Sequence, residues 1–232
     1  MGPRDPENAD LASLVSGLAH ELKNPISTIN VTLQLMREDL TDDRERPASR
    51  FLGKIDLLLD ETKRLEQMLF EFMRIAAPSE VDLNQEDIND LIEQLLGFVA
   101  SELRNSSIVV VTQLDRSLSQ VQVDKSLIKQ VLLNLIKNGI QSIADGGTLT
   151  VQTQKQDDWV VIEIIDTGCG MTADEIEQAF LPYYSTKPEG TGLGLPMVHR
   201  LVRLHGGSVS CQSAKGMGTQ FRVSIPIEGP TK

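Results

Sequence analysis

The sequence predicts an α+β chain in two parts. The first is an antiparallel helical hairpin that pairs with a second copy as a four-helix bundle, and the second is an α/β sandwich with a mixed sheet. Three observations lead there. Apolar residues recur every three or four positions over residues 11–40 and again over 51–72. A polar, proline-containing stretch near 76–82 interrupts that pattern. Beyond it, short β-rich runs mix with longer helical patterns. The two parts are expected over residues 8–76 and 80–230.

The first stripe is Leu11, Leu14, Val15, Leu18, Leu22, Ile26, Ile29, Leu33, Met36 and Leu40. Thr41 to Pro47 is polar and suits a short connection, and the second stripe runs Phe51, Ile55, Leu58, Thr62, Leu65, Leu69 and Phe72. Two such helices cannot enclose a core alone, so a homodimer is expected. In the second part, Ile88 to Leu103, Lys125 to Ile143 and Leu195 to His205 read as helices. Ile108 to Thr112, Gly147 to Gln154, Trp159 to Asp166, Ser208 to Ser213 and Thr219 to Ile227 read as strands, with the helices on one face of the sheet.

Composition narrows the function. Lys and Arg total 22 against 33 Asp and Glu, a net charge of −11, which opposes binding to nucleic acid or anionic lipid. Cys169 and Cys211 sit in no metal-binding pattern and read as reduced thiols of a cytoplasmic protein. No run of about 18 apolar residues would span a membrane. The first residues do not resemble a signal peptide, and a membrane-borne sensor, if the natural protein has one, lies outside this chain.

On a wheel of about 100° per residue, His20 falls about 200° from Leu18, nearly opposite the apolar stripe. It should face solvent, with Glu21 beside it, Asn24 a turn further on, and Pro25 removing a helical hydrogen bond just after it. An exposed histidine is most often merely solvated, but an adjacent carboxylate can hold the Nδ1 proton and sharpen Nε2 as a nucleophile. The run His20-Glu-Leu-Lys-Asn-Pro25 resembles the H-box of histidine kinases, of the nitrogen-regulation-like type. That resemblance implies that His20 accepts a phosphoryl group and Glu21 acts as general base. It implies that Asn24 helps position water for dephosphorylation of a partner.

Four later segments bear on a nucleotide. Asn134 and Asn138 lie four apart on one helical face, as Mg²⁺ and phosphate contacts or as two surface amides. Asp166-Thr-Gly168-Cys-Gly170 follows a strand, where a carboxylate can meet a base edge or simply open a turn. Phe180 to Lys187 brings two tyrosines and a lysine, the latter a phosphate contact or a solvated charge. Gly190-Thr191-Gly192-Leu193-Gly194 leads into a helix, where backbone N–H groups can cradle phosphate; it follows no strand, which disfavours a dinucleotide site. In this order the segments resemble the ATP-binding domain shared by histidine kinases, gyrase, mismatch-repair proteins and a heat-shock chaperone.

The resemblance implies ATP and Mg²⁺ as cofactors, with Asn138 as the metal ligand and Asn134 supporting the phosphates. Asp166 would accept from the adenine amino group, Lys187 would approach the terminal phosphate, and Thr219 would lie near adenine. Gly139 stands where this family more often has alanine, and Tyr183 and Tyr184 where phenylalanine is common. His199 and His205 are expected to be structural. The function implied is that of a two-component sensor histidine kinase core: autophosphorylation of His20, then transfer to the aspartate of a separate response-regulator receiver domain, with a phosphatase role toward that regulator through Asn24. The rivals are a gyrase- or chaperone-like ATPase that drives dimer closure, and a nucleotide-binding scaffold without phosphotransfer.

Overall fold

The computed structural model describes residues 22, 24–37, 39, 51–62, 65, 81–118, 120–187 and 190–230. The chain divides into two compact units, Met1–Ala77 and Pro78–Lys232. His20, Glu21, the polar connection and the outer ends of both stripes lie outside the described residues.

In the first unit, residues 24–37 (α1) and 51–62 (α2) are helical. Pro25 and Thr32 are the buried positions of α1, with Ile29 and Met36 half-buried on the same side. Ile26, Leu33 and Ile55, all expected in the apolar stripes, remain 40–50% exposed. Val31, Leu35, Leu52, Leu57 and Leu59 are also exposed. One hairpin therefore leaves a broad apolar surface uncovered. Lys54 Nζ donates to Asp39 Oδ2 at 2.7 Å, a part-buried ion pair joining the start of α2 to the far end of the first helix.

The second unit runs β1 (Asn84–Glu86), α3 (Ile88–Phe98), α4 (Ala100–Asn105), β2 (Ile108–Leu114), β3 (Val121–Val123), α5 (Lys125–Ser142), β4 (Gly147–Gln156), β5 (Trp159–Asp166), α6 (Ala173–Gln178), α7 (Gly194–Leu204), β6 (Ser208–Ser213) and β7 (Thr219–Pro226). The main sheet has the order β2-β4-β5-β7-β6. Only β2 and β4 are parallel, as a crossover through α5 requires; the other pairs are antiparallel.

Alternation decides which face is covered. Val160, Ile162, Ile164 and Asp166 of β5 point to the same side as Thr219, Phe221, Val223 and Ile225 of β7, with Ile164 opposite Phe221 and Ile162 opposite Val223. Helix α5 packs on this side with α7 beside it. Its Ile128, Leu132, Leu135 and Ile136 are fully buried, each contributing about 1.5–3 kcal/mol. The other face is polar: Glu163 accepts from Gln220 Nε2 at 2.9 Å and from Arg222 Nη1 at 3.4 Å. Trp159 opens β5 at the end away from Asp166, paired with Gln156 and Pro226.

Helix α5 is started by Asp124, whose Oδ1 accepts from Ser126 N at 2.9 Å and Leu127 N at 3.2 Å. The backbone N–H of Asp124 in turn donates to His205 Nε2 at 3.0 Å. His205 Nδ1 lies 2.7 Å from the Leu201 carbonyl. A carbonyl only accepts, so the proton sits on Nδ1 and the ring is neutral. His205 is fully buried and sutures the end of α7 to the start of α5.

Four features depart from the sequence expectation. The helix expected over Ile88 to Leu103 breaks at Val99, two residues after Gly97, whose helix propensity is about 1 kcal/mol poorer than alanine; the break lets Val99 and Leu103 both bury. Strands β1 and β3 pair over three residues each, too short to show a period. Helix α6 buries nothing and is marked only by the reciprocal capping box of Thr172 and Glu175. Helix α7 starts at Gly194, one residue before the expected Leu195, and keeps Pro196 in its first turn, where an N–H would lack an intrahelical partner anyway. Among the described residues, no helix is long and apolar enough to cross a membrane.

Candidate functional site

Strand β5 ends at Asp166, 3% exposed beneath α5. Its Oδ1 accepts from Ser142 Oγ and from Gly168 N, both at 2.8 Å. The Thr219 amide lies close enough to help hold the carboxylate charged. A carboxylate has about four acceptor positions, so capacity for one more donor remains. Burial holds the Asp166 carboxyl above the usual carboxylate range; the Gly168 amide, the Ser142 hydroxyl, the Thr219 amide and the Lys187 ammonium oppose that shift.

The loop after β5 is held on two sides. Cys169 N donates to Ser142 O at 3.1 Å, and Gly216 N donates to Cys169 O at 2.7 Å. Met171 N donates to Ser213 Oγ at 2.8 Å, and Ser213 Oγ lies 3.0 Å from Thr219 Oγ1. Two glycines make this convergence possible. A Cβ on Gly168 would stand 2.1 Å from Ser142 Oγ. Gly218 has φ +80°, and a Cβ there would stand 1.9 Å from the Asp166 carbonyl. Gly170 lies in the same loop at φ +61°.

One and two turns back along α5 from Ser142 stand Asn138 and Asn134. Asn134 Nδ2 donates to Gln130 O at 3.1 Å, and Gln130 donates to Met197 Sδ on α7. A Cβ on Gly194 would come within 3.2 Å of Asn134 Oδ1, so the first residue of α7 abuts Asn134. Lys187 Nζ donates to Asn138 Oδ1 at 3.2 Å and to Gln141 Oε1 at 2.8 Å. Burial pulls the Lys187 pKa below its ordinary value, against the attraction of Cys169 and Asp166. Two neutral amide oxygens thus converge on a positive charge, and oxygen donors of this kind suit Mg²⁺ that keeps its other ligands as phosphate and water. The residues fit that ion.

The segment from Phe180 to Gly194 beside them folds on itself. Phe180 packs against His199 of α7, ring centroids 6.1 Å apart and tilted by 59°. Tyr183 N donates to Gly192 O at 3.0 Å, and Gly190 N to Lys187 O at 3.1 Å. Thr191 Oγ1 accepts from Leu193 N at 3.4 Å. Leu193 is buried at the cap position of α7, which no side chain caps, so its first-turn N–H groups suit an anion.

The structure thus gathers Asn134, Asn138, Lys187 and the Gly190–Gly194 run along the C-terminal half of α5. Asp166, Gly168, Gly170 and Thr219 gather at its C-terminal end. Asn134 to Ser142 is eight residues, about 12 Å along the helix. Asn24 is exposed on α1, its carbonyl accepting from Thr28 Oγ1 at 3.2 Å. Sequence reasoning missed Gln141 and Ser142; the signal for Ser142 was its place four residues after Asn138, on the same face.

Gly139, costly on helix propensity, lies where α5 meets the sheet. A Cβ there would stand 2.6 Å from Leu149 Cδ1 and 3.5 Å from Asp166 Cβ. Gly139→Ala should therefore destabilise the domain by about 1 kcal/mol in thermal denaturation, since overpacking costs about 1–3 kcal/mol against a propensity gain of about 1.

Comparison with known proteins places these features. Residues 10–78 match the family described as the His Kinase A (phospho-acceptor) domain, and residues 123–229 match the histidine kinase-, DNA gyrase B-, and HSP90-like ATPase family. Sporulation kinase C of Bacillus subtilis is 31% identical over 94% of this chain and 49% of its own length. Sensor histidine kinase ZraS of Klebsiella oxytoca is 33% identical over 96% of this chain and 47% of its own length. The chain spans about half the length of the curated relatives it matches. The solved catalytic domain of histidine kinase ThkA is 26% identical, with a TM-score of 0.59 over 63% of this chain and 97% of that one. Acinetobacter baumannii histidine kinase AdeS, 21% identical, shares the fold at a TM-score of 0.69 over 90% of this chain and 98% of that one. ThkA in complex with the response regulator protein TrrA, 23% identical, does so at 0.76 over 96% and 64%. With a phospho-acceptor segment followed by an ATPase-type domain that closes a buried aspartate, an amide pair and a glycine-rich loop around one helix, this chain belongs to the histidine kinase family.

Proposed function

We infer that the chain binds Mg-ATP in the second unit, phosphorylates His20, and passes the phosphoryl group to an aspartate of a separate response regulator. The observation that carries this is the layout of the C-terminal half of α5, from Asn134 to Ser142. A buried carboxylate with spare acceptor capacity lies against the helix's last residue, and amide oxygens already holding a cation lie within a turn of it. That arrangement suits a ligand with a flat amine-bearing base and a charged tail. Asp166 would take the adenine amino group, Thr219 would flank the base, and Asn134 with the Gly190–Gly194 backbone would hold the phosphates. Mg²⁺, held through Asn138, supplies charge neutralisation on the phosphate oxygens. Lys187 would turn from Asn138 to the terminal phosphate.

His20 Nε2 attacks the γ-phosphorus, the bond to the β–γ bridging oxygen breaks, and ADP leaves. Glu21 takes or orients the Nδ1 proton. The rate comes mainly from positioning and charge neutralisation. The exposed apolar surface of α1 and α2 supports pairing of two hairpins, as expected for a dimerising phospho-acceptor segment. The solved complex of ThkA with a response regulator supports docking of such a partner, and Asn24, exposed on α1, would serve hydrolysis of the regulator's aspartyl phosphate. A cytoplasmic location fits such a partner.

Incubation with γ-labelled Mg-ATP tests the proposal. The wild type should acquire an acid-labile, base-stable label, and His20→Gln should acquire none while binding ATP as before. Equal phosphate release by both proteins with no label on either would install the ATPase reading. Nucleotide binding by an unlabelled wild type would install the scaffold.

A further inference from the structure

The Ser142 hydroxyl, in the last turn of α5, lies 2.8 Å from two acceptors, Asp166 Oδ1 and the Gly139 carbonyl. It has one proton to give. We propose that Ser142 is a positioning residue: it fixes the Asp166 carboxylate for the 6-amino group of adenine and thereby sets the base preference of the site. The proposal rests on the reading of Asp166 as the base contact.

With the Ser142 proton donated to Asp166, Oδ1 carries both that hydrogen bond and the one from Gly168 N. Both lone-pair positions of that oxygen are then filled, so the carboxylate cannot turn and its spare capacity is aimed in one direction. When Asp166 is protonated, the hydroxyl has the Gly139 carbonyl to turn to, and the carboxyl loses its orientation. Ser142 also holds the loop by a separate route, its own carbonyl accepting from Cys169 N. Removing the hydroxyl alone therefore leaves the loop tied to the helix. No neighbour can replace it from the loop side, since a side-chain atom on Gly168 would overlap it. The other titratable groups around the carboxylate are Lys187, Cys169 and Cys211. Burial pushes the Cys211 thiol up to about 11, so it stays uncharged at neutral pH.

The test compares the full chain with Ser142→Ala in equilibrium binding of two probes: ATP, and purine riboside triphosphate, which lacks the 6-amino group. Both are followed from pH 5 to 9. The wild type should prefer ATP, and only its ATP affinity should fall as acid protonates Asp166. In Ser142→Ala, ATP should weaken about tenfold at neutral pH while the analogue changes less than about twofold, and the midpoint of the ATP profile should move to higher pH. Equal weakening of both probes, no weakening, or an unmoved midpoint overturns the role of Ser142. A wild type that does not distinguish the probes overturns the reading of Asp166 itself, and the proposal with it.

Discussion

Asp166→Asn is expected to weaken ATP binding by at least about a hundredfold while leaving the nucleotide-free domain no less stable than wild type at neutral pH. The two groups hydrogen-bonded to the carboxylate, the Gly168 amide and the Ser142 hydroxyl, are both donors and both reach Oδ1. The carboxamide oxygen is drawn to those donors, which turns the NH₂ toward the ligand, where it meets the adenine amino group donor to donor. A 6-oxo base presents an acceptor instead, so inosine triphosphate should lose far less than ATP. The stability side follows from burial. The folded-state pKa of Asp166 lies above the unfolded value of 3.8, so the folded domain binds that proton more tightly than the unfolded chain. As pH rises from 3.8 through the folded-state value, the wild type loses stability and the variant does not. Thermal melts of the nucleotide-free proteins should differ at pH 7 and converge at acid pH. A variant that melts well below wild type at pH 7 would refute the account.

His205→Ala should cost about 3 kcal/mol, among the larger effects of any single change outside the nucleotide contacts. It opens a cavity at a fully buried site and strips the acceptor from the Asp124 amide at the head of α5. It also removes a pH dependence. Burial pulls the His205 pKa below its ordinary value of 6.5, with the Leu201 carbonyl and the Asp124 carboxylate opposing. Above 6.5 the ring is neutral in both states and contributes no slope. Below 6.5 the unfolded chain takes up a proton that the folded ring refuses, so stability falls by at most about 1.4 kcal/mol per pH unit until the folded-state value is reached. Denaturation at pH 7.5 and 5.5 should show the gap between wild type and variant narrowing in acid. A constant gap would mean that His205 is not held neutral.

Much of this architecture is written locally. Strand β5 ends at Asp166, and α5 runs through Asn134 and Asn138, because alternation and helical period are properties of adjacent residues. What the sequence does not carry is partnership across it. Ser142 meets Asp166 from 24 residues away, and His205 meets Asp124 from 81. Serine and histidine in those places look like ordinary helix-end residues until the fold closes. The break at Val99 was hidden for the opposite reason: one amphipathic stripe runs through both α3 and α4, and only the register of packing tells that the chain turns there. The H-box histidine was read from its neighbours and from the face it takes on a helical wheel.

The placing of aromatic side chains gives this protein two spectroscopic channels that do not mix. Its one tryptophan opens β5, seven residues and about 23 Å from Asp166. Indole emission should therefore report unfolding of the sheet while staying indifferent to an occupant beneath α5. Its only two tyrosines, Tyr183 and Tyr184, sit side by side in the segment tied to Gly192 and ending at Lys187. Fluorotyrosine resonances would number just two, and both would watch the segment that the proposed nucleotide would rearrange.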